Sequence, residues 1–124
     1  MREDAREEDG RRSDKRLKLN LRVYYGPSQK TILSGFIVDL SSGGLFLQTE
    51  YPLGVGDHLS LIFSLPDFEK SVSCKARVAW ANAGSNETSN DLPIGVGLQF
   101  LDLLLEDVVT IAKFVENYEV SAAW

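Results

Sequence analysis

Leu17, Leu19, Leu21, Val23 and Tyr25 alternate with polar residues, and the same period returns at Leu59, Leu61, Phe63 and Leu65 and at Val72, Cys74, Ala76, Val78 and Trp80. A period of two puts every second side chain on one face of a strand, so each run has an apolar face to bury. On this reading Cys74 and Trp80 are both core residues on an inward face. Gly26-Pro27-Ser28 closes the first run, and a second strand is expected from about Lys30 to Leu40, where Gly35 marks a bulge or a close backbone approach. A Ser-Ser-Gly-Gly turn leads to a short third strand from Leu45 to Thr49. Pro52 to Asp57 reads as a loop, Pro66-Asp67 as a turn and residues 82–93 as a flexible surface loop, after which Gly95 to Phe100 forms a sixth strand. From about Leu104 to Tyr118 the period changes to three and four, placing Val108, Ile111, Ala112, Val115 and Tyr118 on one helical face. Six short strands and one helix are best satisfied by a six-stranded antiparallel β-barrel, because closure removes the exposed edges. The C-terminal helix then closes one opening or packs on the sheet.

At 124 residues the chain fits one domain with a single core. Residues 1–10 mix Arg, Glu and Asp and read as a flexible leader. The first twenty residues are too charged for a signal-peptide core, and no apolar run reaches the length of a membrane span, so a cytoplasmic protein without membrane insertion is expected. Cys74 and His58 are each the only residue of their kind, which leaves no internal disulfide and no cysteine or histidine metal site to expect.

Charge is unevenly spread. Residues 11–22 carry Arg11, Arg12, Lys15, Arg16, Lys18 and Arg22 against Asp14 alone, a local balance of +5; since the whole chain is −5, the remainder carries −10. Such a body repels extended nucleic acid except at one small patch. A small barrel binding single-stranded nucleic acid would need a basic groove with exposed aromatics, whereas most aromatics here fall on the expected core faces.

Two polar motifs flank the first turn. Arg12 and Arg16 form Arg-x-x-x-Arg, while Asp39, Ser41 and Gly44 form Asp-x-Ser-x-x-Gly, and the midpoint of Arg16 and Asp39 is 27.5, inside the turn. A hairpin therefore brings both motifs to one end of the sheet. Each motif alone is cheap, since Arg2 and Arg6 repeat the first spacing and ordinary turn chemistry explains the second. Together they suit an anionic ligand that also carries hydrogen-bond donors, such as a guanine nucleotide. A guanidinium fork matches phosphate oxygens and equally the O6 and N7 acceptors of guanine. Asp39 offers acceptors for the N1 and N2 donors, Ser41 a donor for phosphate or ribose, and Gly43 and Gly44 room for close backbone approach.

These motifs, with Gly95-Val-Gly97-Leu-Gln-Phe100 leading to the final helix, resemble the PilZ domain family over roughly residues 11–118. Gly43-Gly44-Leu-Phe46 and the Pro52 to Gly56 loop resemble single-domain members. The resemblance implies an arm at 11–16, a barrel at 17–100, a helix at 104–118 and a tail at 119–124. It also implies binding of cyclic di-GMP through Arg12, Arg16, Asp39, Ser41 and Gly44, with Arg11 added where two intercalated ligand molecules are held. Ordering of the arm would then change the surface shown to a downstream protein, for which Phe46, Tyr51, Phe68 and Trp124 are contact candidates. The other reading within the family is an interaction module that does not bind nucleotide. Catalysis is not expected, because no nucleophile–His pair, phosphate loop or metal cluster is recognisable and Asp102, Glu106 and Asp107 suit a helix start.

Overall fold

The computed structural model describes residues 16–27, 31–66, 68, 70–82 and 93–122. Its elements are β1 (Leu17–Pro27), β2 (Leu33–Leu40), β3 (Gly44–Gln48), β4 (His58–Leu65), β5 (Lys70–Asn82), β6 (Gly95–Phe100) and α1 (Leu105–Ala122). The strands close into a barrel in the order β1-β2-β3-β6-β5-β4, every neighbouring pair antiparallel. The alternation in β4 is realised directly, with Leu59, Leu61, Phe63 and Leu65 all buried. Val23, Ile37, Leu40, Leu47, Val72 and Val78 meet them inside the barrel.

The helix closes one mouth. Ile111, Phe114 and Val115 join the same core as the barrel interior. Phe114 meets Phe68 edge-on just past β4, with ring centroids 6.0 Å apart, and the buried Asp107 lies 3.4 Å from Lys70 at the start of β5. Asp102 accepts a 2.7 Å hydrogen bond from the Lys75 amide and ties the approach to α1 onto β5. Both carboxylates are thus part of the framework, and Asp107 additionally faces the positive end of the helix dipole.

Three expectations are corrected. Trp80 does not point inward: Val78 pairs with Leu98 and Trp80 with Gly97, so Ala79 is an extra residue in β5. One inserted residue reverses the face of the residue that follows it, which leaves Trp80 45% exposed. The buried stripe of α1 is centred on Ile111, Phe114 and Val115, whereas Ala112 is exposed and Tyr118 is 44% exposed. Phe114 displaces Ala112 from that stripe because the larger side chain fills the barrel mouth. β2 begins at Leu33 instead of Lys30, and its irregularity lies between Ile37 and Asp39. Gly35 is a close approach, since a Cβ there would stand 2.8 Å from the Gln48 carbonyl oxygen. The leader, Arg11 and Arg12, most of the 82–93 loop and Trp124 lie outside the described residues.

Cys74 is buried on β5, and its thiol is pushed up to about 12, first by burial and then by the carboxylates of Asp102 and Asp107. The folded chain therefore keeps a proton that the unfolded chain releases from its ordinary value of 9.0 upward. Below that value the contribution to stability is complete, and it falls as pH rises from 9.0 towards 12. Denaturant midpoints measured across this window should decline more in wild type than in Cys74→Ala. A thiol reagent at pH 8 should leave native Cys74 unmodified and label it on unfolding.

Candidate functional site

β1 and β2 set the site. Leu17 pairs with Leu40, both inward, and Lys18 pairs with Asp39, both outward. Arg16 stands two residues before Lys18 and so shares its outward face, a diagonal from Asp39 that a long side chain spans. Arg16 Nη1 donates to Asp39 Oδ1 at 2.9 Å, with 47% of the Arg16 side chain exposed and 14% of that of Asp39. The two motifs thus meet at one end of the barrel. The hairpin is centred one residue later than the spacing alone predicts, because Lys18 and not Arg16 takes the position opposite Asp39.

The turn after β2 is held by Ser41. Its amide donates to the Gly44 carbonyl at 2.9 Å, and its buried hydroxyl accepts from the amides of Gly43 and Gly44 and donates to the Gly44 carbonyl. That hydroxyl is engaged by the turn, so its role in the free protein is to fix the loop beside Asp39. The two glycines separate in role. A Cβ on Gly43 would meet only the Ser41 hydroxyl, at 4.0 Å, so its outer side is open. A Cβ on Gly44 would stand 2.1 Å from the Leu98 carbonyl oxygen of β6, which makes this glycine a requirement of the barrel.

Arg16, Asp39, Ser41, Gly43 and Gly44 line one concavity of about 430 Å³, together with Phe46, Trp80, Gly97 and Gln99. The bulge that turns Trp80 outward also delivers it here. Its indole lies across Gly97, where any Cβ would fall 2.1 Å from Nε1, and tilts against Phe46 with ring centroids 5.2 Å apart. Phe46 is therefore buried although it points away from the barrel interior. Sequence reasoning missed this aromatic wall. Its signal is β6 itself, since Val96 and Leu98 are core residues and the outward Gly95 and Gly97 leave a trench that only neighbouring aromatics fill. Beyond it, Gln99 accepts a 3.1 Å hydrogen bond from Arg77 Nη2.

A second concavity of about 620 Å³ occupies the opposite mouth, lined by residues such as Tyr25, Gln48, Thr49, Glu50 and Tyr51. Among the described residues its wall holds no Lys or Arg and includes Glu50, which favours an anion less than the Arg16 site does. Of the contact candidates, Phe46 is buried, Phe68 is half-buried against the helix and Tyr51 is 44% exposed. Among the described residues no cluster of His, Cys, Asp and Glu has the geometry to hold a metal, and no helix is long and apolar enough to cross a membrane.

The protein is thus a closed six-stranded barrel with one helix in its mouth and an arginine–aspartate pair beside an open glycine turn. The sequence matches the model of the PilZ domain over residues 10–117, and the chain belongs to this family of cyclic di-GMP-binding domains, which are binding or regulatory modules. The fold is similar to that of the Bacillus subtilis inhibitor of motility MotI/DgrA, with a TM-score of 0.70 and 16% identity over 86% of this chain and 50% of that one. It is also similar to the PilZ domain of CeSA from a cellulose-synthesizing bacterium, with a TM-score of 0.58 and 17% identity over 85% of this chain and 98% of that one. The chain thus spans half the length of MotI/DgrA. No curated protein matches the sequence.

Proposed function

We propose that this chain is a cyclic di-GMP receptor that binds the messenger in the Arg16–Asp39 concavity. The observation that carries the reading is the 2.9 Å pair between Arg16 and Asp39 on the rim of a site walled by Trp80 and by the open side of Gly43. Arg16 offers a fork to phosphate or to guanine O6 and N7, and Asp39 accepts from guanine N1 and N2. Trp80 supplies a flat face for a purine. Ser41 and Gly44 keep the turn in place. Arg11 and Arg12, in the segment leading to Arg16, would close on the bound ligand, and this would alter the surface offered to a downstream protein. Arg11 also suits a second, intercalated ligand molecule, because stacked guanines present a face to a guanidinium.

Calorimetric titration with cyclic di-GMP, the linear dinucleotide and a short oligonucleotide tests the proposal. The expected result is binding of the cyclic form alone, at about 10 µM or tighter. A stoichiometry near two ligands per chain supports the intercalated pair, and one near one removes it. No heat with cyclic di-GMP, or equal binding of the oligonucleotide, overturns the receptor reading.

Trp80 gives a separate check. Base–aromatic stacking is worth about 1–3 kcal/mol, so Trp80→Ala should weaken binding roughly tenfold while Trp80→Phe retains most of it. Equal affinity in wild type and Trp80→Ala would remove the indole from the site.

A further inference from the structure

Helix α1 carries two apolar stripes, and the barrel covers one of them. Asp107, Ile111, Phe114 and Val115 face the barrel. On the far side stand Leu105, 77% exposed, Val109, 44% exposed one turn later, and the exposed Ala112. Leu104, 61% exposed, and Leu101, 46% exposed, add apolar surface just ahead of the helix. A helix in a single small barrel needs one such stripe, and a contiguous second one marks an interaction surface. The fifteen residues ahead of Arg16 include only Met1 and Ala5 as apolar members, so they offer no matching stripe to cover it.

The charges beside the stripe indicate what does. Glu106 and Lys113 are seven residues apart, two helical turns, and lie on the same flank of Val109. When two helices pack antiparallel about a twofold axis, each flank meets the same flank of its partner. An axis passing midway between Val109 and Thr110 sets Glu106 of each copy opposite Lys113 of the other. The pattern is self-complementary, and Ala112 lets the two backbones approach closely. Glu106 lies 3.8 Å from Lys70 within its own chain, but 67% of its side chain is exposed and open to a second cation.

We propose that α1 pairs with α1 of a second copy of this chain, antiparallel, through Leu105, Val109 and Ala112 flanked by two reciprocal Glu106–Lys113 ion pairs. A single helix pair falls below the area of a standard stable interface, so the dimer is weak, with a dissociation constant on the order of 10–100 µM. The surface includes none of the residues that line the Arg16–Asp39 concavity, and the proposal stands whether or not the chain binds nucleotide.

Sedimentation equilibrium of the full chain without ligand, from about 5 to 500 µM to bracket that constant, is the test. Wild type should pass from monomer to dimer across the range. Val109→Glu, at an exposed position outside the core, should remain monomeric throughout with an unchanged melting temperature. Glu106→Lys or Lys113→Glu alone should weaken association roughly three- to tenfold, and the two together should restore it, because each exposed ion pair contributes only modestly. The proposal is overturned by a wild type that stays monomeric, by a dimer indifferent to Val109→Glu, or by a double exchange that associates no better than either single one.

Discussion

Arg16→Ala is expected to weaken cyclic di-GMP binding by roughly a hundredfold or more while leaving thermal stability nearly unchanged. Two charge-assisted hydrogen bonds from one guanidinium contribute about 1.5–3 kcal/mol each, and each 1.36 kcal/mol is tenfold in affinity. The effect on the fold is small for a different reason. Nearly half of the Arg16 side chain is exposed, and its pair with Asp39 is an ion pair at the protein surface, a type that stabilises by about 0–1 kcal/mol. Arg16→Lys should lose most of the affinity as well, because an ammonium keeps the charge without the fork. Calorimetry and a thermal melt on the same samples separate the two quantities. Unchanged affinity in Arg16→Ala would move the ligand away from this rim.

Gly44→Ala is expected to destabilise the barrel by about 3 kcal/mol, lowering the melting temperature by roughly 10 °C. The added Cβ would stand 2.1 Å from the Leu98 carbonyl oxygen, which is backbone of the adjoining β6, so a side-chain rotation cannot relieve the clash. The contact lies where Gly44 pairs with Gln99 and Leu45 with Leu98, and relief requires separating β3 from β6. Gly43→Ala provides the contrast. Its Cβ meets only the Ser41 hydroxyl at 4.0 Å, so the fold should tolerate it while the methyl group intrudes on the ligand. Denaturant melts should show Gly44→Ala unstable, and titrations should show Gly43→Ala stable but weaker in binding. A wild-type melt for Gly44→Ala would refute the packing role assigned to this glycine.

The barrel was legible because its period-two runs survive almost intact. In β4 every second residue from Leu59 to Leu65 is buried, and β1 places Leu17, Val23 and Tyr25 inside as the alternation requires. The meeting of Arg16 and Asp39 was legible too, since a turn near Gly26-Pro27 brings both motifs to one end of the barrel, although the residue opposite Asp39 is Lys18, two positions after Arg16. Trp80 was not. Its inward assignment extrapolated the alternation through Ala79, and a bulge has no signature in period alone. The helix face was misjudged for a related reason. Ala112 and Phe114 both fit an apolar stripe, and only the volume of the barrel mouth selects the phenylalanine. The motif glycines were read together as space for ligand, whereas Gly44 is held by β6 and Gly43 alone opens outward.

The most direct measurement is a backbone and indole amide spectrum of the labelled chain titrated with cyclic di-GMP. Shifts are expected at Arg16, at residues 39–44, at Gly97 and Gln99, and at the Trp80 indole, with the opposite mouth around Tyr25, Thr49 and Tyr51 silent. Absence of shifts at saturating ligand, or shifts confined to the opposite mouth, would contradict the assignment of this site.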